Sequence, residues 1–291
     1  MVRVTTFGFG LSFGAPKFVD LGGRRLAYDE VTPQNPQGTL LLLSGLGSKR
    51  FGWGRQLPVF GQHYRTIAMD HRDVGDSDPF EEPYTMHDQA DDAAALLRAL
   101  GVEGAHVAGI SMGGMVALNL AQRHPQLVRS LILVATSAGG RTHVGPTAEA
   151  AAVLRPDPGQ EIGERAQNTY RIICRPGHFD SRPEEAELVA QLARYKPMRS
   201  AAYLRQYEAA RGHDVTTHLQ DIRAPSLVIH GDLDPLVPVG NGRMLAQRLP
   251  GARLHEYPGI GHMPIMECPD EFNRDVLEFL GTLDDQSKEN A

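Results

Sequence analysis

Ala105-His106-Val107-Ala108-Gly109-Ile110-Ser111-Met112-Gly113-Gly114 is the stretch on which the fold turns. Ala105 to Ile110 is a short apolar run that reads as a strand. Met112 to His124 is rich in small and apolar residues and reads as a helix. A single serine stands at the junction. A strand that runs straight into a helix needs a sharp turn, with strained backbone at Ser111. Small neighbours at Gly109 and Gly113 let strand and helix pack close around it. Such a turn lifts the Ser111 hydroxyl above the sheet edge. It also aims the first helical N–H groups, beginning with Met112, at whatever oxygen sits beside them. A glycine-rich turn with an incidental serine would spell the same five letters. The flanking strand and helix, and the extra Gly114, favour the chemical reading.

Outward from this turn, strand and helix signals alternate. Strands are expected at Arg24 to Glu30, Thr39 to Leu43, Arg65 to Met69, Leu131 to Ala135, Ser226 to His230 and Arg253 to Tyr257. Helices are expected at Met86 to Leu100, with Gly101 as C-cap, and at Pro269 to Leu283. Alternation of this kind implies an α/β fold: a mostly parallel central sheet with helices on both faces. Ligands of such sheets bind at the carboxyl ends of the strands. Between Gly139 and Gly212 no buried strand is evident. Helical stretches near Ala148 to Leu154, Glu161 to Cys174, Pro183 to Arg194 and Ala201 to Arg211 are punctuated by Pro156, Pro158, Pro176 and Pro197. The expected organisation is a core domain of residues 1–138 and 213–291 with an α-helical cap at 139–212.

Three further segments carry a family likeness. Leu43-Ser44-Gly45-Leu46-Gly47 follows a buried strand. Asp70-His71-Arg72-Asp73-Val74-Gly75-Asp76-Ser77-Asp78 follows the next one. His124-Pro125-Gln126-Leu127-Val128-Arg129-Ser130-Leu131 follows the helix after the serine. Together with the serine motif they resemble the α/β-hydrolase family over nearly the whole chain. The resemblance implies a nucleophile, acid and base in the chain order Ser, Asp or Glu, His. Ser111 is then the nucleophile. The acid falls in His230-Gly231-Asp232-Leu233-Asp234-Pro235-Leu236-Val237-Pro238, where the family pattern points to Asp234. Asp232 is the competitor, with a turn role as its plainer reading. The base is His262, in the glycine-rich Gly259-Ile260-Gly261-His262-Met263-Pro264 after the last strand. His71 is the rival near the same edge and is expected to shape the pocket or its rim; His230 is read as structural. The implied oxyanion donors are the N–H groups of Met112 and Leu46, with Ser44 standing where the family usually has histidine. Gly45 and Trp53 are candidate substrate contacts, although Trp53 equally suits a core anchor.

The resemblance also bounds the chemistry. A serine nucleophile disfavours the dehalogenases and epoxide hydrolases of this fold, which use aspartate. A carboxylic ester of a small or medium-sized molecule is the expected substrate, cleaved through an acyl-enzyme. Lactone hydrolysis of the enol-lactone type and carbon–carbon bond hydrolysis are the alternatives. Asp73 and the cap length are similar to methyl esterases of aromatic polyketides, and Ser44 to Gly47 to enol-lactonases. A reading of another class, a non-catalytic ligand receptor on the same fold, also stands. Arg171, Arg175, Tyr195, Tyr203 and Tyr207 are candidate cap contacts, with surface positions as the plainer reading.

Composition excludes other classes. Of 291 residues, 41% are hydrophobic and 22% charged, as in an ordinary globular protein. The net charge of -6 and the lack of a Lys/Arg block argue against nucleic acid as partner. Cys174 and Cys268 allow one disulfide at most. Cys174 with His178 lacks the second ligand pair of a metal site. No metal or organic cofactor is expected. Met1 to Gly10 reads as a loose arm rather than a leader, and no run is long enough to span a membrane, so a cytoplasmic location is expected. Asp284 to Ala291 reads as a frayed tail. A homodimer is compatible with all of this.

Overall fold

The computed structural model describes residues 5–6, 12–155 and 159–289. Its centre is an eight-stranded sheet. In chain order the strands are β1 (Lys17–Asp20), β2 (Arg25–Val31), β3 (Thr39–Leu43), β4 (Arg65–Met69), β5 (Ala105–Ile110), β6 (Val128–Val134), β7 (Ser226–Gly231) and β8 (Arg253–Tyr257). The spatial order is β8-β7-β6-β5-β3-β4-β2-β1. Within this sheet the pairings β1–β2 and β2–β4 are antiparallel and the others parallel. The helices packed on this sheet are α1 (Met86–Ala99), α2 (Met112–Arg123), α7 (Gly240–Arg248) and α8 (Pro269–Glu289). Between β6 and β7 lie α3 (Ala148–Val153), α4 (Ile162–Ile173), α5 (Pro183–Arg194) and α6 (Ser200–Arg211).

The central strands are apolar because both of their faces are covered. All six residues of β5 are buried. Alternation splits β3 between the two faces. Leu41 and Leu43 join Val107, Val116 and Ala93 on the side of α1 and α2. Leu40 and Leu42 join Ala108, Ile110, Phe60 and Phe272 on the side of α8. The expected fold class is therefore observed.

Besides shifts of strand ends, such as β6 beginning at Val128 rather than Leu131, three elements differ from expectation. The edge strand β1 escapes a pattern search because only Val19 in it is buried. α7 opens Gly240-Asn241-Gly242, a poor helix-forming start. The second glycine is needed for space: a Cβ there would stand 2.5 Å from His230 Nδ1. The last helix continues to Glu289, beyond Leu283, so the backbone does not end its helix at the expected tail. The side chains of that tail after Asp284, most of the Met1 to Gly10 arm, and Pro156 and Pro158 lie outside the described residues.

The segment between β6 and β7 leaves and returns at one place. Gly139 and Asp214 form an isolated antiparallel bridge. Val215 N–H donates to the Ala138 carbonyl at 3.0 Å, and Gly140 N–H to the His213 carbonyl at 3.2 Å. Four helices are thus held over the sheet from one narrow base. Among the described residues, no helix is long and apolar enough to cross a membrane.

Candidate active site

Ser111 sits between β5 and α2 with φ 55° and ψ -122°. An L residue in that region carries strain of about 1–3 kcal/mol, so its surroundings must enforce it. They do so from both ends. Ser111 N–H donates to the Val134 carbonyl at 2.8 Å, and Thr136 Oγ1 donates to the Ser111 carbonyl at 2.7 Å. The glycines leave no room for alternatives. A Cβ on Gly109 would lie 2.3 Å from the Gly113 carbonyl oxygen, and one on Gly113 would lie 2.1 Å from that of Leu43. Gly113→Ala is therefore expected to cost about 3 kcal/mol of stability by forcing α2 off β3. A urea unfolding midpoint equal to that of the parent would contradict this close packing.

Asp234 and His262 meet across the loops after β7 and β8. His262 Nδ1 lies 2.7 Å from Asp234 Oδ2. The other carboxylate oxygen of Asp234 accepts the N–H groups of Leu236 and Val237 at 2.8 and 2.9 Å. Burial alone pushes the Asp234 carboxyl up, but the neighbouring His262 and His230 outweigh it and bring it down to about 2. The side chain is thus a buried carboxylate whose Oδ2 lies between two histidines, 2.7 Å from His262 Nδ1 and 3.4 Å from His230 Nε2. Asp232 points elsewhere, and its Oδ1 accepts the Gly259 N–H at 2.7 Å. His230 is fully buried, and its Nε2 donates to the Val237 carbonyl at 2.6 Å, bracing the loop that carries Asp234.

The loop after β3 lies against the serine. A Cβ on Gly45 would stand 3.4 Å from Ser111 Cβ, in van der Waals contact with it, which shows how near the loop runs to the serine. Ser48 N–H donates to the Gly45 carbonyl at 3.1 Å, closing a turn with Gly47 at φ 66°. The Gly47 N–H donates to Oε1 of the buried Gln206, on α6. Neither Leu46 N–H nor Met112 N–H meets a protein acceptor among the described residues. Both residues line the same cavity as Ser111. His71 does not itself line that cavity but holds Ser44, which does. It is fully buried, burial pushes it down to about 4, and Nε2 donates to the Ser44 carbonyl at 3.0 Å. It props the loop from behind, a role that no local pattern marks.

Above Ser111, between the sheet and α3–α6, lies a cavity of about 630 Å³. Ser111 and His262 both face it, as do Gly45 and Trp53. Trp53 lines the cavity, and it is also fully buried and packs on Phe272 at 6.3 Å between ring centroids. Of the five candidate contacts from the helical segment, Tyr203 and Tyr207 reach the cavity, as a stacked pair 6.5 Å apart. Arg171, Arg175 and Tyr195 do not. Arg171 pairs with Asp180 at the surface, and Tyr195 packs edge-on to Phe51. Lys49 and Arg165, which also line the cavity, carry no sequence signal beyond being cations. Both cysteines are free thiols, and His178 binds Glu185 at 2.7 Å rather than joining Cys174.

Residues 38–269 match the profile of the alpha/beta hydrolase fold. The chain belongs to this family. The α/β-hydrolase match covers the serine turn, the loop after β3 and the Asp234 and His262 loops alike. Over 254 residues the chain is 33% identical to a Serratia proteamaculans (strain 568) protein named as the carbamate hydrolase RutD. That alignment covers 86% of this chain and 92% of the relative. A hydrolase from Pseudomonas aeruginosa PA01 has a similar structure, with TM-score 0.77 and 30% identity, over 92% of this chain and 98% of that one. Est816, described as an N-acyl homoserine lactone degrading enzyme, superposes with TM-score 0.75 at 26% identity, over 90% of this chain and 100% of that one. The protein is a hydrolase of the α/β-hydrolase family.

Proposed function

We propose that this hydrolase cleaves a carboxylic ester of a small or medium-sized substrate through an acyl-enzyme on Ser111. The observation that carries the reading is the buried Asp234–His262 pair facing the same cavity as a serine held at positive φ. Asp234 accepts the Nδ1 proton of His262, which leaves Nε2 free to act as base. His262 takes the Ser111 proton as Oγ attacks the carbonyl carbon. The N–H groups of Leu46 and Met112 receive the oxyanion. His262 then protonates the leaving alkoxide, and an alcohol departs. Water repeats the sequence on the acyl-enzyme and releases the carboxylic acid.

The helical segment 139–212 is the cap of this enzyme and residues 1–138 and 213–291 its core. The segment's single base at Gly139 and Asp214 and its share of the cavity wall support that division. A carbamate substrate is the second reading, favoured by the name of the 33% identical relative. The same nucleophile and oxyanion donors would serve it.

Rapid mixing with p-nitrophenyl acetate tests the reading. A burst stoichiometric with enzyme is expected for the wild type, and no burst for Ser111→Ala. A burst that survives Ser111→Ala would remove Ser111 as nucleophile, and no acylation in the wild type would favour a receptor. A panel of esters, lactones and carbamates then ranks the substrates; a strong preference for lactones or carbamates would replace the ester reading.

A further inference from the structure

The cavity above Ser111 has an uneven charge. Its walls are mainly aliphatic and aromatic, and among the described residues neither aspartate nor glutamate lines it. Cations do. Arg55 is paired with Glu185 at 2.9 Å, and Arg211 with Glu208 at 3.1 Å. Lys49 and Arg165 line it without an ion-pair partner among the described residues. They stand on different parts of the wall, Lys49 on the loop after β3 and Arg165 on α4.

Lys49 is the more telling of the two. It is only 8% exposed, yet its Nζ makes one hydrogen bond, to the Leu192 carbonyl at 2.9 Å. An ammonium has three protons to donate, and a neutral carbonyl offsets little of its charge. Burial pushes the group down to about 8, against the pull of the more distant Asp70 and Asp76. It therefore remains mostly charged near neutral pH. The backbone beneath it is fixed, because the Lys49 carbonyl accepts Ser44 Oγ at 3.1 Å, next to Gly45 and the serine. Arg165 stacks its guanidinium over Tyr203 at 5.3 Å.

We propose that the cavity selects substrates bearing a carboxylate at a distance from the scissile carbonyl, and that Lys49 anchors that carboxylate. An aliphatic or aromatic body would fill the apolar wall, and the anionic end would complete the bonding of a buried ammonium. The chemical class is a half-ester of a dicarboxylic acid or a similar anionic acyl compound. This deepens the serine-hydrolase reading and rests on it for turnover, but not for binding.

Lys49 also braces the C-terminal turn of α5 through Leu192, a purely structural role. The two roles separate in kinetics. A substrate anchor made equally in ground and transition states appears in KM and leaves kcat alone. Loss of bracing would harm neutral and anionic substrates together.

The kinetic arm compares methyl half-esters of linear dicarboxylic acids with methyl esters of monocarboxylic acids of equal length. The wild type is expected to favour the best half-ester about 10-fold or more in kcat/KM, the range of a charged hydrogen bond. Lys49→Met keeps the stem and removes the charge. It is expected to raise KM for that half-ester about 10- to 100-fold and to leave the neutral esters within about 2-fold. The binding arm titrates wild type and Lys49→Met with octanoate and octanol by calorimetry. Octanoate is expected to bind more tightly, and only while Lys49 is present. Equal kcat/KM for both ester series, an equal loss on both in Lys49→Met, or an effect confined to Arg165→Met overturns the proposal. If no ester acylates Ser111, the hydrolase reading fails, and the binding arm still decides the anion site.

Discussion

Asp234→Asn is expected to lower kcat on p-nitrophenyl acetate about 10,000-fold while the chain stays folded. The amide fits the same space but presents an N–H₂ group to one of two demanding sides. Either it loses the Leu236 and Val237 N–H groups, or it faces His262 Nδ1 with a donor and forces the imidazole into the wrong tautomer. Asp232→Asn is the matched comparison. Its carboxylate holds the Gly259 N–H, so that change is expected to cost about 1 kcal/mol of stability and little rate. A larger rate loss in Asp232→Asn than in Asp234→Asn would reverse the assignment. Acid sensitivity gives an independent reading. The Asp234 carboxyl lies below its unfolded value of about 4, at about 2 in the folded chain. A depressed carboxyl contributes stability above its unfolded pKa and loses it as pH falls through the folded one. The wild type should therefore lose this contribution between about pH 4 and pH 2, and Asp234→Asn should show no such loss from this position.

Arg50→Met is expected to destabilise the fold by about 3–5 kcal/mol, read as a lower urea midpoint. Arg50 is wholly buried behind the loop after β3. Its Nε reaches Asp29 at 2.8 Å, and its Nη1 reaches Asp76 at 2.9 Å and also Asp70. The Arg50 N–H adds a bond to Asp70 Oδ1 at 2.7 Å. One guanidinium thus serves three carboxylates, and removing it leaves their charges in a dry site. Burial pushes the Asp29 and Asp70 carboxyls up even with the arginine present. Lys196, from the loop after α5, touches Asp76 from the other side, so the network also ties the helical segment to the core. A loss below about 1 kcal/mol would mean the carboxylates simply take up protons in the variant.

The ends of β3, β4, β5 and β8 were legible in the sequence to the residue, and so was the turn at Ser111. Each rests on neighbours along the chain: apolar runs set the strands, and glycines at 109 and 113 permit the turn. The weakly patterned β1 and the glycine-opened α7 were not legible, because their stability comes from the elements they pack on. The candidate acid was narrowed to two residues, since both lie on one short loop of suitable chemistry. The family pattern favoured Asp234, and packing carries His262 across 28 positions to Asp234 rather than to Asp232. The same holds for Gln206 on the Gly47 N–H, 159 positions away, and for Lys49 at the Leu192 carbonyl, 143 positions away. The sequence by itself determined the strand–turn–helix at Ser111, because short-range sterics and hydrophobic period are written locally, and its motifs carried the resemblance that implied the family and the kind of chemistry. The tertiary structure alone decided how Asp234 and His262 meet, which cations wall the cavity and what props its loops, because those contacts exist only once distant segments are packed together.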